Sequence, residues 1–447
     1  MSLKPSIYDT IELVGKDNRT ADIRFACVSI DYYEDILCPT VSAKIQIADS
    51  GGSIKLAGTN EEVSLYEGMK IRSGEQVRII IEPNSASNVR LDFSSRKPLY
   101  LRKIKNLMRE ESREFFEMHL VSYEANKNEV SFLKKSYSRD VTISDHVRQI
   151  VAEFFPNSGE LDVDQTGNKL GFIGNMMKPF EALIKLASKS APSLSLNASA
   201  GFFFFQTKEG FKFKSIDNLA NTPPVAAYFY SEKGDHPATF VSTPDLPSLD
   251  RKIVSYEIVS NQDIIANLKK GAYATDRRFF DPTNFLVTTP KRGGSQFTGD
   301  NYLKSIQTFG SQLLGETLSI VGAENDFTKL PSRILTETLD KGTVESKDVT
   351  KDETSELNKI LSQRKMRYNQ LFSQIITILV PLNSNISAGD SIVCNFPKIT
   401  SKARVENDTE QISGKYLVKE LCHHYDPQGS WTSMMIVRDT FGQSKSN

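Results

Sequence analysis

Four kinds of residue cluster in the sequence could carry chemistry, and the first would be a hydrolase nucleophile. Gly389-Asp390-Ser391 is a pattern in which a serine can attack an ester. The cluster lies near the end of the sequence and directly before a predicted strand, which leaves little room for the rest of an esterase. The sequence contains neither a Gly-x-Ser-x-Gly elbow nor a glycine-rich phosphate loop followed by Lys-Ser or Lys-Thr. We therefore interpret the cluster as a turn leading into a strand.

The second cluster, Cys422-His423-His424, contains residue types that ligate zinc. Neighbouring residues of a strand point to opposite faces, so the two histidines diverge. Cys422 and His424 share a face, but two ligands do not complete a zinc site. We interpret the segment as an ordinary strand and predict no metal site and no cofactor. His146, in a predicted helix, is expected at the surface.

The acidic and the aromatic-basic clusters have equally plain interpretations. A glycosidase needs two carboxyl groups about 5–10 Å apart, but 55 acidic residues make such pairs unavoidable. We assign Glu34-Asp35 to turn or interface contacts. Phe211-Lys212-Phe213-Lys214 could stack nucleic-acid bases, although the same alternation is typical of a half-buried strand. We predict no catalytic residue and a non-enzymatic chain.

The composition is sufficient for folded domains with hydrophobic cores, and it gives no general attraction for nucleic acid. Its 447 residues, 39% hydrophobic and 25% charged, suggest about two to four domains. Lys plus Arg and Asp plus Glu both number 55, so there is no overall pull toward nucleic acid or an anionic membrane. There is no apolar signal segment, no run near the about 18 apolar residues of a membrane span, and no disulfide framework among four scattered cysteines. We predict folding in a reducing cytoplasm and no direct membrane insertion.

Alternating and helical patterns predict an α+β chain that is mainly antiparallel β. Residues 23–28 are predicted as one strand, and a long hairpin runs out over 100–108 and back over 114–123. Two short amphipathic helices follow, one capped by Thr142 and one with Pro179 in its first turn. We predict four parts: a first β-barrel, 1–126; an inserted α/β module with two short helices and a Phe-rich hairpin, 127–250; a second β-barrel, 251–290 and 370–447; and loop-rich decoration ending in a helix, 291–369.

The end of the sequence repeats the pattern of its beginning. One constant spacing relates the following pairs, which predicts two hairpins of equal length: Tyr100 and Tyr416, Phe115 and Trp431, Met118 and Met434, Val121 and Val437. Upstream, with a slip of one position, Gly74-Glu75 matches Gly389-Asp390, and each pair precedes a strand that a proline closes. Chance similarity between two alternating hairpins is the alternative. The shared order of turn, strand and long hairpin predicts two related barrels in one chain. Three such chains would then form a ring of six similar barrels.

The stretches 33–49, 205–217 and 389–397 together resemble the baseplate-hub subunits of T-even-type contractile phage tails. The stretch 33–49 is similar to the opening of the first tube-type domain of that family, with Cys38 where serine is expected. The stretches 205–217 and 389–397 resemble a second hub segment and a late turn-strand motif. The polar stretch 292–356 matches nothing in the family. The family-motif residues singled out by the resemblance, all in structural roles, are Tyr33, Glu34, Asp35, Pro39, Asp49, Gly210, Asp217, Gly389, Asp390 and Pro397.

The resemblance implies two tube-type β-barrels and a structural role in the tail baseplate of a virion. Hub subunits form a homotrimeric ring that joins the hexameric tail tube to the trimeric membrane-puncturing spike, and DNA passes transiently through its lumen. The implied partners are further copies of the chain, the tail tube protein, the central spike protein, and tape-measure and baseplate-wedge proteins, after assembly in the host cytoplasm. Related barrels occur in type-six secretion spikes and tailocins, which remain alternatives. A glycan- or receptor-binding β-rich adhesin of the virion is the alternative from another functional class.

Overall fold

The structure is a computed structural model in which the chain is mainly antiparallel β with few helices, as predicted. It describes residues 4–55, 62–83, 88–94, 97–111, 113–193, 200–231, 248–261, 263–281, 285–288, 296–297, 309, 312–313, 331–338, 364–398 and 412–441. The predicted polar stretch 292–356 lies mostly outside these residues. Within them, no helix combines the length and the apolar character that crossing a bilayer requires.

The N-terminal part of the chain forms the first barrel. Its elements are β1 (Ser6–Val14), β2 (Thr20–Asp22), β3 (Cys27–Asp35), β4 (Ser42–Asp49), β5 (Ile54–Lys55), β6 (Glu62–Val63), α1 (Leu65–Met69), β7 (Gln76–Pro83), β8 (Leu91–Phe93), β9 (Leu99–Glu110) and β10 (Arg113–Val121). Six strands pair in the order β3-β4-β10-β9-β7-β1. Alternation of apolar and polar residues, strict in β4, sends every second side chain into one core. Residues 24–26, predicted as strand, form a turn instead, because the Asp22 carboxylate accepts the backbone N–H of Arg24 at 3.0 Å.

The inserted module has a core of its own. Its elements are α2 (Tyr123–Glu129), β11 (Ser136–Tyr137), α3 (Ile143–Phe154), β12 (Glu160–Val163), β13 (Phe172–Ile173), α4 (Pro179–Ser188), β14 (Phe202–Gln206), β15 (Gly210–Ser215) and α5 (Ile216–Asn221). As predicted, Thr142 caps α3 by accepting the Asp145 N–H, and Pro179 opens α4. Alternate phenylalanines of β14 point into the module core and into a second core shared with the C-terminal barrel. The hairpin β14–β15 is therefore buried on both faces.

His146 on α3 is buried, so its predicted surface position was wrong. Its Nε2 lies 2.9 Å from the carbonyl oxygens of Ser138 and Leu170. Segments on both sides of the helix in sequence fold back over this face of α3. An amphipathic pattern marks the most apolar face of a helix, but it does not show which further positions the flanking segments cover.

The second barrel is built from β16 (Ala226–Phe229), β17 (Ser255–Asn261), β23 (Gln374–Pro381), β24 (Ser391–Asn395), β25 (Gly414–Tyr425) and β26 (Trp431–Arg438). They pair in the order β17-β23-β26-β25-β24-β16, around a separate apolar core. A bridge between Phe229 and Lys252 brings the two ends of this order together. Strand β16 lies in the range 127–250 assigned from sequence to the inserted module, but it pairs with β24. The bounds of the four parts remain predictions.

Smaller elements decorate the second barrel between β17 and β23 and at its end. They are α6 (Ile264–Lys270), β18 (Thr275–Asp281), β19 (Leu286–Thr288), β20 (Gln296–Phe297), β21 (Gln312–Leu313), β22 (Arg333–Thr338), a helix α7 over residues 364–371, and β27 (Thr440–Phe441). A short 3-10 helix, Ser248–Arg251, precedes β17. Strands β19, β20 and β22 all pair with β18 in a sheet of their own.

The two barrels share one strand order. Taken in chain order, the strands of the first barrel correspond one to one with those of the second: β1, β3, β4, β7, β9 and β10 with β16, β17, β23, β24, β25 and β26. They differ at one strand, because β1 is antiparallel to β7 whereas β16 is parallel to β24. The shared order supports the duplication that the repeated sequence pattern predicts.

The predicted equal length of the two long hairpins was wrong by one residue. The return strands keep the predicted spacing, with Met118 facing Ile104 in the first and Met434 facing Leu421 in the second. The register shows that Leu101, rather than Arg102 as the constant spacing predicts, corresponds to Val418. The first hairpin carries an extra residue at a bulge in β9, where Asn106 has a φ of 52°.

Candidate assembly site

Strand β25 joins the two barrels into one continuous sheet. Its second half pairs antiparallel with β3 of the first barrel, with Leu421 facing Glu34 and His424 facing Asp31. On the outer face of this joint, the Asp31 carboxylate contacts His424 Nδ1 at 2.5 Å and Lys44 Nζ at 2.8 Å. The His424 ring stacks on Trp431 with centroids 4.5 Å apart. Backbone pairing and a small charged cluster therefore fix one barrel against the other.

Glu34 ties together three parts of the chain from beneath this joint. Its Oε1 accepts hydrogen bonds of 2.8 Å from the Tyr32 hydroxyl and from the backbone N–H of Lys208 in the module. Its Oε2 accepts a 2.8 Å bond from the N–H of Ala388 in the second barrel. Burial raises the pKa of Glu34 even though these donors favour the carboxylate. A single buried side chain thus links the first barrel, the module and the second barrel.

The neighbouring Gln206 performs a similar task between the module and the first barrel. Its Oε1 accepts bonds from the Val41 N–H at 3.1 Å and the Ser122 hydroxyl at 2.8 Å. Its Nε2 donates to Glu124 at 3.2 Å. Lys208 Nζ also donates to the carbonyl oxygen of Ser384. The end of the phenylalanine-rich strand β14 and the turn after it therefore contact both barrels.

The turns before β7 and β24 have the same hydrogen bonds. The Gly389 N–H donates to the Val418 carbonyl at 2.9 Å, and the Val418 N–H donates to the backbone carbonyl of Asp390 at 2.8 Å. In the first barrel, Gly74 and Glu75 make these two bonds with Leu101, at 2.7 and 2.9 Å. Each acidic side chain also accepts a backbone N–H three residues earlier, at 2.8 Å for Asp390 and 2.9 Å for Glu75. The predicted correspondence of these turns is thus seen in their contacts.

Arg367 forms a second buried junction. It lies on α7, is fully buried, and pairs through Nη1 with the equally buried Asp439 next to β26. Its Nη2 lies 3.6 Å from Oδ1 of Asp217 on α5 of the module. Tyr368 on the same helix exchanges hydrogen bonds with the backbone of Phe202. The decorating helix therefore links the module to the second barrel.

The other family-motif residues lie at separate structural positions. Asp35 accepts the Leu37 N–H at 2.8 Å and lies 3.2 Å from Lys419 Nζ. Asp49 accepts the Leu65 N–H at 2.5 Å, at the start of α1. At Gly210 a Cβ would lie 2.0 Å from the Glu160 carbonyl oxygen, so only glycine fits. The last three are placed as follows: Tyr33 half-buried on β3 opposite Cys422, Pro39 half-buried in the turn before β4, and Pro397 exposed after β24.

The residues considered for catalysis or metal binding have structural contacts instead. Ser391 is buried and its hydroxyl donates to the Leu219 carbonyl at 3.0 Å. His423 is buried between Thr432 and the Ile386 carbonyl, and burial lowers its pKa to about 3. His424 lies on the opposite face, as strand alternation predicts. Among the described residues, no group of three or more His, Cys, Asp or Glu side chains could hold a metal ion.

Sequence reasoning singled out Glu34 and Asp217 but missed their partners. Lys208 and Ala388 meet Glu34 through backbone N–H groups, which carry no sequence signal. Gln206 could have been noticed as a polar residue that ends a run of four phenylalanines. Arg367 lies in a polar segment without a distinguishing pattern.

Two open strand edges correspond to the two strands of the internal joint. Register equates the second half of β25, which pairs with β3, with the second half of β9. It also equates β3 with β17. In the described part of the chain, no strand pairs with the outer edge of β9 beyond residue 101 or with the outer edge of β17. Exposed apolar side chains mark both edges: Leu107 and Met108 on β9, Ile258 and Val259 on β17.

Comparison with known proteins identifies the fold. No protein-family model matches the chain, and no curated protein matches it. The tail protein from Neisseria meningitidis MC58 is 10% identical, aligns over 97% of each chain and gives a TM-score of 0.51. The 43 kDa tail protein of prophage MuSo2 from Shewanella oneidensis is 9% identical, aligns over 97% of this chain and 99% of its own, and gives 0.53. The E. coli c3393 protein, described as a type VI secretion component, is 8% identical, aligns over 94% of this chain and 76% of its own, and gives 0.42.

The chain therefore has the tail-protein fold that the sequence resemblance predicts. Both better-matching structures are described as tail proteins, and neither description names an enzymatic activity.

Proposed function

We propose that the chain is a non-enzymatic structural subunit of a phage tail baseplate, in which three copies close a ring of six barrels. The observation that carries this proposal is the match between the internal barrel joint and the two open edges. A joint formed once inside the chain can be repeated between chains, because each chain presents both halves of it. Paired edges would also hide backbone groups that otherwise invite aggregation.

The internal register specifies the contact between chains. Cys422 faces Tyr33 in the internal joint. The equivalent residues are Lys105, which faces Glu117 in its hairpin, and Ser260, which faces Ile375. Lys105 of one chain would therefore lie opposite Ser260 of its neighbour. The exposed apolar residues of β9 and β17 would become buried in the same step.

The proposed ring acts by geometry. Six similar barrels from three chains match a hexameric tail tube on one side, while the threefold symmetry matches a trimeric central spike on the other. DNA would pass through the lumen, tape-measure and wedge proteins would contact the assembly, and the ring would reside in the virion tail after assembly in the host cytoplasm. Stable rings of this kind need interfaces of several thousand Å². The shared fold with two tail proteins supports this reading.

A disulfide trap tests the ring directly. In a background with Cys38→Ser and Cys422→Ser, the pair Lys105→Cys and Ser260→Cys should give a covalent trimer on a non-reducing gel after mild oxidation. The matched control pairs Lys105→Cys with Glu257→Cys, which the register places too far apart for a disulfide. Light scattering on the native chain should give three chain masses. A trimer that never cross-links would refute the register, and a chain that stays monomeric with its tube and spike proteins would refute the ring.

A further inference from the structure

A small apolar groove on the inserted module is open to solvent. It lies between α4 and β13 and has a volume of about 110 Å³. The residues of α4 that line it recur with the spacing of one helix face. The full lining is Leu170, Phe172, Ile173, Met177, Ala182, Lys185, Leu186 and Lys189.

Exposed apolar side chains flank the groove. Ile173 is 72% exposed, Met176 56% and Val130 73%. Their segments are neighbours, because the Met176 N–H donates to the Leu133 carbonyl at 3.0 Å. Met176 is three residues after Ile173, and Leu133 is three residues after Val130. Exposed apolar side chains that lie close together mark interaction sites more often than exposed apolar side chains that are scattered singly.

The backbone beside the groove is held in a strained turn. Asn175 and Met176 have successive positive φ values of 45° and 59°. Residues other than glycine adopt this left-handed conformation uncommonly. Backbone hydrogen bonds hold the turn, from the Gly174 N–H to the Lys135 carbonyl and from the Leu133 N–H to the Met177 carbonyl, both at 2.9 Å. In this turn the large apolar side chain of Met176 is left 56% exposed.

The rim of the groove is basic. Lys185 and Lys189 line it directly, and Lys134 is exposed in the strand-like segment that contacts the turn. In the described part of the chain, Lys134 and Lys185 have no acidic partner. Glu129, at the end of α2, is paired with Lys178. An apolar floor with cationic edges is complementary to a segment that is apolar on one face and acidic on the other.

We propose that this groove binds an acidic amphipathic helix of a partner protein. The helix would lie along α4 and insert apolar residues spaced i, i+3, i+4 and i+7 between α4 and β13. Its carboxylates would meet Lys134 and Lys185. This surface is on the module and is independent of the barrel edges proposed for ring formation.

A designed peptide tests the proposal on the full chain. The probe is a fluorescein-labelled synthetic helix of about 18 residues, with leucine at the four anchor spacings and glutamate elsewhere. Fluorescence anisotropy should show saturable binding that weakens as salt increases. Ile173→Glu and Lys185→Glu should each weaken binding at least about tenfold. Ile7→Glu, which changes a 57% exposed apolar residue on β1 of the first barrel, should leave binding unchanged.

Three further results would overturn the proposal. If a peptide with lysine in place of glutamate bound equally well, the basic rim would have no role in recognition. If Ile173→Glu instead lowered the oligomeric mass of the native chain in light scattering, a second copy of the chain, rather than a separate partner, would cover the groove. Equal binding to the native chain and to both groove variants would place the peptide elsewhere.

Discussion

The carboxylate of Glu34 in the first barrel accepts a 2.8 Å hydrogen bond from the backbone N–H of Ala388 in the second. Glu34→Ala would leave this buried N–H and the partly buried N–H of Lys208 without an acceptor. We expect the free energy of unfolding to fall by about 2–4 kcal/mol. Urea unfolding at neutral pH, followed by circular dichroism, measures the change. The matched control is Asp35→Asn, which keeps the acceptor for Leu37 and weakens only a partly exposed ion pair, and should change stability by less than about 1 kcal/mol. Equal losses would show that Glu34 does not hold the junction.

His423 should make the chain sensitive to mild acid. Burial, aided by repulsion from Lys208, lowers its pKa from 6.5 to about 3 in the folded chain. The folded state therefore binds this proton less tightly than the unfolded chain, so the stability that His423 contributes is present above pH 6.5 and is lost as pH falls toward 3. Each pH unit in this window should remove up to about 1.4 kcal/mol.

The difference between the native chain and His423→Gln isolates this effect from other titrating groups. Denaturant midpoints measured from pH 7 to pH 4 should fall more steeply for the native chain than for the variant. His119→Gln is the control, because His119 is partly exposed and should alter the slope less. Parallel slopes for the native chain and His423→Gln would contradict the assignment.

The two equivalent turn glycines should tolerate alanine to different degrees. Gly74 and Gly389 have φ values of 94° and 89°, so alanine is strained at both by about 1–2 kcal/mol. At Gly389 a Cβ would also lie 2.7 Å from Cζ of the buried Phe205, whereas at Gly74 the nearest atom is Cε of Lys16 at 3.6 Å. We expect Gly389→Ala to lower thermal stability by about 1–3 kcal/mol more than Gly74→Ala. Similar losses would mean that the Phe205 contact yields without strain.

Arg367 should be among the least replaceable charged residues. Arg367→Met keeps the apolar volume but leaves Asp439 buried without its cationic partner, which should destabilise the chain by about 3–5 kcal/mol. The control Arg148→Met breaks an exposed pair with Asp145 on α3 and should change stability by less than about 1 kcal/mol. Thermal unfolding followed by circular dichroism distinguishes them. A small effect of Arg367→Met would show that Asp439 reaches solvent.

The sequence predicts the local parts of this fold well, because their signals are local. Period-two alternation locates β4, β10 and β26, and a capping threonine and an early proline locate α3 and α4. The repeated hairpin predicts the duplicated barrel, but its register is one position off, since a bulge at Asn106 adds a residue without changing the alternation on either side. Identity of residue type at Tyr100 and Tyr416 was therefore misleading.

The candidate site depends on contacts between distant segments, which no local pattern reveals. Glu34 could be singled out through its motif, but its acceptor role depends on backbone donors in two other parts of the chain. His146 was misplaced for a related reason, since segments before and after α3 bury it, including the rings of Tyr137 on β11 and Phe172 on β13. The open edges of β9 and β17 become informative only when the internal joint of β25 with β3 is known.

The joint between β3 and β25 also constrains the order in which the protein folds during synthesis. Asp31 and His424, which meet across it, are 393 positions apart in the chain. The strands of the first barrel leave the ribosome together and can fold early. The outer edge of β3, however, has no partner strand until β25 near the end of the sequence has been synthesised. Throughout that interval an unpaired strand is exposed to other nascent chains. Slow translation or crowded polysomes should therefore favour aggregation, and a holding chaperone that covers this edge should raise the yield of folded protein.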